Sequence, residues 1–198
     1  MLKIAITGKI ATGKTTISEI LKGMNYKVFD SDLEVANLYQ TKAVIDLVIE
    51  KFSHKINSLL YDDGKLNISN LGSYVFKNSE ELKKLEKILY PELKKKKDNF
   101  YLENKKEKVL FYDIPLLFQK NLQSFYTHII LTKVNKVTQK NRALQRKNMN
   151  NSKFEDILKI QEYNENLFQK YISLTIDTSK KIVETKKTLK DFLKKLNI

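Results

Sequence analysis

The chain contains no cysteine and no tryptophan, and its 198 residues include only five glycines, two prolines and two histidines. Without cysteine there can be no disulfide and no thiolate metal site. His54 and His128 lie far apart in sequence, so neither is assigned a chemical role. Long apolar runs are missing as well. Residues 109–118 form the most apolar stretch, and Asp113 and Pro115 interrupt it, whereas a bilayer span needs about 20 such residues. The N-terminal apolar run of roughly six residues is too short for a secretory signal. The expectation is a cytoplasmic protein without a membrane partner. At 41% hydrophobic and 30% charged residues, the composition is that of a soluble globular chain, long enough for one domain with a full core and small insertions.

Arginine is the scarcest of the charged residues. Of 37 basic residues only Arg142 and Arg146 are arginine, and the formal net charge is +14. Such a charge attracts polyanions, ATP and nucleic acid alike. The lysines are dispersed apart from residues 94–97, which is the pattern of solvated helix faces rather than of a basic stripe. No stable nucleic-acid partner is expected.

Two of the five glycines fall in one short stretch, LKIAITGKIATGKTT at residues 2–16. Residues 2–7 read as a buried strand. Gly8-x-x-x-x-Gly13-Lys14-Thr15 is a complete phosphate-binding loop. Its glycines let consecutive backbone N–H groups turn inward onto phosphate oxygens. Ile17, Ile20 and Leu21 follow at helical spacing, so the loop opens onto a helix N-terminus, which favours an anion. Lys14 then reaches the β- and γ-phosphates and the Thr15 hydroxyl ligates Mg²⁺. A plain strand–turn–helix explains the glycines less well, because the motif stands in the strand-then-helix context that it requires.

Residues 26–29 (YKVF) read as a second strand, ending in Asp30-Ser31-Asp32. In a parallel α/β sheet, ligands bind beyond the carboxyl ends of the strands. One carboxylate there can accept a proton from a substrate hydroxyl while the other holds Mg²⁺ or its water. Ser31-x-x-Glu34 is also a helix-capping box, with Asp32 in the first turn, and the two roles are compatible.

Residues 33–52, 68–76 and 80–103 carry helical periodicity, with a turn at Asp62-Asp63-Gly64 and an expected kink or break near Tyr90, before Pro91. This helical excursion, placed at about 54–106, is expected to form an acceptor-binding subdomain. Residues 108–113 (KVLFYD) are the third strand, whose terminal Asp113 stands where a ligand of Mg²⁺ or its water belongs. Residues 127–132 (THIILT) are the fourth. Asn135-Lys136-Val137-Thr138 is a near miss to the guanine signature of GTPases, with Thr138 replacing the base-reading carboxylate. Arg142 and Arg146 are four apart and share a face on a helix. Their planar forks bind phosphate bidentately, which suits a lid at about 134–152. A helix over residues 154–170, a short strand at 174–176 and a closing helix at 180–196 complete the chain.

With these residues in place, the chain resembles the dephospho-coenzyme A kinases. The resemblance rests on the loop Gly8–Thr16, Asp30-Ser31-Asp32, Pro115-Leu116-Leu117 and Arg142-Ala143-Leu144-Gln145-Arg146, in order over nearly the whole chain. It implies an α/β three-layer P-loop fold with a central five-stranded parallel sheet, a helical insertion and a lid helix. It also implies transfer of the γ-phosphate of ATP, with Mg²⁺, to the ribose 3′-hydroxyl of dephospho-CoA. Gly8, Ala11, Thr12, Gly13, Lys14, Thr15 and Thr16 would cradle the phosphates, with Arg142 and Arg146 from the lid. Asp32 would be the base, with Lys14 and Arg142 stabilising charge, and Thr15 and Asp113 would hold the metal. Asp30, Asp32, Tyr90, Pro91, Pro115 and Leu116 would meet the acceptor. The chain departs from the family pattern at Lys9 and Ala11, where further glycines are usual, at Tyr90 for histidine, at Gln119 for glutamate, and at Asp177-Thr178-Ser179. Another P-loop kinase acting on a nucleotide or nucleoside is the alternative, and a nucleic-acid-dependent ATPase is a more distant one.

Overall fold

A computed structural model describes residues 1–198. Five strands alternate with helices: β1 (Leu2–Thr7), α1 (Lys14–Gly23), β2 (Val28–Asp30), α2 (Ser31–Leu38), α3 (Lys42–Phe52), α4 (Ile68–Val75), α5 (Ser79–Glu103), β3 (Val109–Asp113), β4 (His128–Lys133), α6 (Lys136–Leu144), α7 (Asn151–Ile160), α8 (Glu165–Phe168), β5 (Leu174–Asp177) and α9 (Ile182–Lys195). The chain divides into two compact units, residues 1–30 with 104–198, and residues 31–103.

The first unit is built on the sheet, whose strands are all parallel in the order β2-β3-β1-β4-β5. Its central strands β1, β3 and β4 read as apolar runs because both faces are covered. On one face Ile4, Ile6, Val109, Phe111, Ile130 and Ile176 pack with Ile17, Ile20 and Leu21 of α1 and Leu189, Phe192 and Leu193 of α9. Their neighbours one residue along, Ala5, Leu110, Tyr112, Ile129 and Leu131, point to the opposite face and are equally buried. Each such large side chain contributes about 1.5–3 kcal/mol by leaving water. β1 lies between β3 and β4, so the loop that follows it emerges at the middle of the sheet's carboxyl edge.

The second unit is helical, α2 to α5, around Leu38, Val44, Val48, Phe52, Leu71, Val75, Leu85 and Leu89. It begins at Ser31 rather than near residue 54, because Leu38, Val44, Val48 and Phe52 belong to this core. The single helix expected over residues 33–52 is two. The Thr41 hydroxyl takes the Leu38 carbonyl at 2.8 Å and the Thr41 backbone is extended, so the chain stops and restarts there. The turn at Asp62-Asp63-Gly64 is present, closed by Tyr61 and Lys65. Around Pro91 no break occurs, and α5 is one helix of 25 residues. Proline's fixed φ is helical and it removes one hydrogen bond, while Leu85 and Leu89 anchor the preceding turns in the core.

The helix expected over residues 154–170 is likewise interrupted. α7 stops at Gln161, and α8 restarts four residues later behind Asn164, whose side chain accepts the Asn166 N–H.

Candidate active site

Residues 8–13 wrap tightly at the end of β1. A β-carbon on Gly8 would lie 2.3 Å from Thr132 Oγ1, and one on Gly13 would lie 2.7 Å from Thr178 Oγ1, with Gly13 at φ 92°. Both positions therefore require glycine. Gly13 is the N-cap of α1 and offers no side-chain cap, so the first turn presents its backbone N–H groups at the mouth of the loop. The Lys14 ammonium donates to the carbonyls of Gly8 at 2.9 Å and Lys9 at 3.4 Å. Its charge is thereby curled over the loop.

A pocket of about 300 Å³ opens there, lined by Ala11, Gly13, Lys14, Thr15, Thr16, Arg142 and Arg146. The chain's only two arginines thus converge on the phosphate-binding loop. Their spacing is not that of one helix face, since α6 ends at Leu144 and Arg146 sits in the turn beyond it. Arg142 is held in place. Its guanidinium donates to Thr178 Oγ1 at 3.0 Å and to the Thr178 carbonyl at 2.9 Å, and the Thr178 hydroxyl donates to the Thr12 carbonyl at 2.7 Å. Thr12 Oγ1 in turn meets Thr132 Oγ1 at 2.8 Å.

The start of α6 explains the near miss to the guanine signature. The Asn135 side chain accepts the Thr138 N–H at 2.9 Å and caps the helix. That stretch is a helix start.

Asp113 ends β3 and is buried, with Oδ2 accepting from Ser18 Oγ of α1 at 2.9 Å. Thr15 lies one turn before Ser18, on the same helix face. Asp30 stands opposite Asp113 in the ladder between β2 and β3, about 4.8 Å away across the strands. In-register residues of parallel strands point to the same side, so the two carboxylates reinforce one negative field. A hydroxyl and neighbouring carboxylates are hard oxygen donors, the chemistry that suits Mg²⁺. Asp32 lies two residues beyond Asp30, exposed in the first turn of α2, where its charge favours the helix N-terminus. Pro115 and Leu116 follow β3, half-buried. Tyr90 and Pro91 lie on the exposed side of α5 in the helical unit.

Several side chains that touch the loop carry no sequence signal. Gln139 of α6 donates to the Ile10 carbonyl at 2.8 Å, and Gln161 accepts the Ile10 N–H at 2.5 Å. Gln119 donates to the Gln161 carbonyl at 2.7 Å, which gives that departure from the family pattern a structural role. Lys9 lies over the Tyr163 ring, 5.8 Å from its centre. Ala11, at φ 59°, has a left-handed backbone that costs a non-glycine residue about 1–2 kcal/mol.

Comparison with known proteins decides the lineage. The family model for dephospho-CoA kinase matches residues 2–183. The chain belongs to the dephospho-CoA kinase family. A dephospho-CoA kinase of Fusobacterium nucleatum is 33% identical over 98% of this chain and 94% of its own length. One from Bacillus cereus is 30% identical over 98% and 97%. Among solved structures, a Thermus thermophilus protein superposes with TM-score 0.80 at 24% identity, covering 98% of this chain and 97% of its own. A dephospho-CoA kinase from Campylobacter jejuni gives 0.66 at 22% identity over 98% and 96%, and both likenesses speak to the fold. Shikimate kinase from Acinetobacter baumannii, at TM-score 0.55 and 14% identity over 98% and 94%, shares the architecture. The chain is therefore a kinase with the α/β P-loop fold.

Proposed function

We propose that this member of the dephospho-CoA kinase family transfers the γ-phosphate of ATP to the ribose 3′-hydroxyl of dephospho-CoA, forming CoA and ADP. The observation that carries the reading is the convergence of Arg142 and Arg146 on the loop that holds Lys14 and Thr15. In a chain with 37 basic residues and two arginines, placing both forks there is what bidentate recognition of phosphate oxygens demands.

In this reading the loop N–H groups from Gly8 to Thr16 orient the triphosphate, and Lys14 turns from the loop carbonyls onto the β- and γ-phosphates. Asp32 accepts the proton as the hydroxyl oxygen bonds to the γ-phosphorus and the bond to the β-phosphate oxygen breaks. ADP leaves with the electron pair of that bond. Thr15 and Asp113 would hold Mg²⁺, which when bound would neutralise phosphate charge. Arg142 and Arg146 stabilise the charge that spreads over the transferring group. No histidine or cysteine is required, in keeping with a chain that has no cysteine and only two histidines, far apart in sequence. The helical unit, with Tyr90 and Pro91, and the segment at Pro115 and Leu116 are assigned to the acceptor. Residues 1–198 then act as one kinase domain.

A coupled ADP-release assay with ATP and Mg²⁺ tests the reading, with dephospho-CoA set beside AMP, CMP and deoxynucleosides. Turnover with dephospho-CoA alone is the expected result. Turnover only with a nucleotide or nucleoside would keep the phosphate site and overturn the acceptor.

A further inference from the structure

The crown of the phosphate-binding loop, Ile10 and Ala11, is gripped from outside by α6, by α7 and by Gln161 just beyond α7. Ile10 and Ala11 are 6% and 5% exposed and pack against Ala143 of α6 and Phe154 of α7. Both polar groups of the Ile10 backbone are taken by side chains, the carbonyl by Gln139 and the N–H by Gln161. Gln139 is itself 7% exposed, so its amide works in a water-poor setting where a lost partner is costly. One turn further along α6, Arg142 reaches the same loop through Thr178, whose hydroxyl holds the Thr12 carbonyl. One helix therefore fixes the loop at residue 10 and at residue 12. Between them lies Ala11 in the left-handed conformation, which a non-glycine residue keeps only where its surroundings over-determine it.

We propose that Gln139 is a positioning residue for the phosphate-binding loop, holding the Ile10 peptide so that Ala11 keeps its left-handed backbone, with Gln161 as the second contact. It follows that the shape of the loop and the placement of Arg142 are coupled, because α6 sets both. The inference rests on the reading of the loop as the ATP site, and adds that ATP affinity depends on side chains that do not touch ATP.

The test is a double-mutant cycle read by calorimetric ATP binding, with unfolding midpoints recorded for every variant. Gln139→Met keeps the length of the side chain and removes the amide donor. It is expected to weaken ATP binding about tenfold, the equivalent of one buried hydrogen bond. Placed on Ala11→Gly, the same substitution is expected to cost about threefold or less, because glycine adopts the left-handed backbone without help. Gln161→Met, which leaves α6 intact, provides a second arm with the same expected rescue. Equal losses in the alanine and glycine backgrounds overturn the proposal, as does a lower unfolding midpoint with unchanged ATP affinity. A wild-type chain that binds no ATP overturns the reading of the site along with the grip. Wild-type binding with an additive cycle overturns the grip alone.

Discussion

Arg142 and Thr178 are joined by two hydrogen bonds, guanidinium to hydroxyl at 3.0 Å and guanidinium to carbonyl at 2.9 Å. Thr178 passes the connection to the phosphate-binding loop through the Thr12 carbonyl. The guanidinium therefore uses its fork geometry to reach two acceptors of one residue while lining the pocket above Gly13. A lysine at this position keeps the charge but is a point donor. Arg142→Lys is expected to lower turnover about 100-fold, the scale of removing one preorganised donor from a charge-developing centre. The unfolding midpoint should hardly move, since Arg142 lies partly exposed at the end of a helix. Steady-state ADP release beside thermal unfolding checks both halves. An unchanged rate would reduce Arg142 to a structural clip.

The proposed base offers a second check. Asp32 is an exposed first-turn residue of α2, and asparagine retains its size while removing its charge. Asp32→Asn is expected to keep ATP affinity and to lose about 10²–10⁴-fold in turnover, the range of general acid–base assistance. Near-normal turnover would move the role to Asp30, which stands in the ladder opposite Asp113.

Much of the first unit is legible in the sequence because its central parallel strands, buried on both faces, are short apolar runs, and two of them end at residues with a local reason to be there. Glycine follows β1 at position 8 because a β-carbon there would strike Thr132. Asp113 ends β3 and turns to Ser18. The interruptions at Thr41 and Gln161 are harder to see. Apolar spacing continues across both, and what stands at the breaks is local capping, the Thr41 hydroxyl donating to the Leu38 carbonyl and the Asn164 side chain accepting the Asn166 N–H. The residues around the loop illustrate the same limit. The arginines are conspicuous by type, whereas Gln139 within α6 and Gln161 just past α7 are set apart only by the Ile10 backbone that they meet across the fold. A partner more than 120 residues away leaves no mark on local periodicity.

The helical unit carries a pH-dependent element of its own. Glu81 is 7% exposed on α5, and its carboxylate accepts from Lys55 at 3.0 Å and Lys84 at 2.7 Å. The hydrogen bond from Lys84, followed by that from Lys55, lowers its pKa below the ordinary 4.5. A carboxyl group whose pKa is depressed by folding contributes stability that is complete above its unfolded value and disappears as the pH falls through its folded one. Glu81→Gln should therefore lower the unfolding midpoint near neutral pH. The gap between variant and wild type should close progressively as the pH is taken below about 4.5. Thermal unfolding of both chains across that range measures the effect. A gap of constant size would mean that glutamine fails Lys55 and Lys84 for reasons of shape rather than of charge.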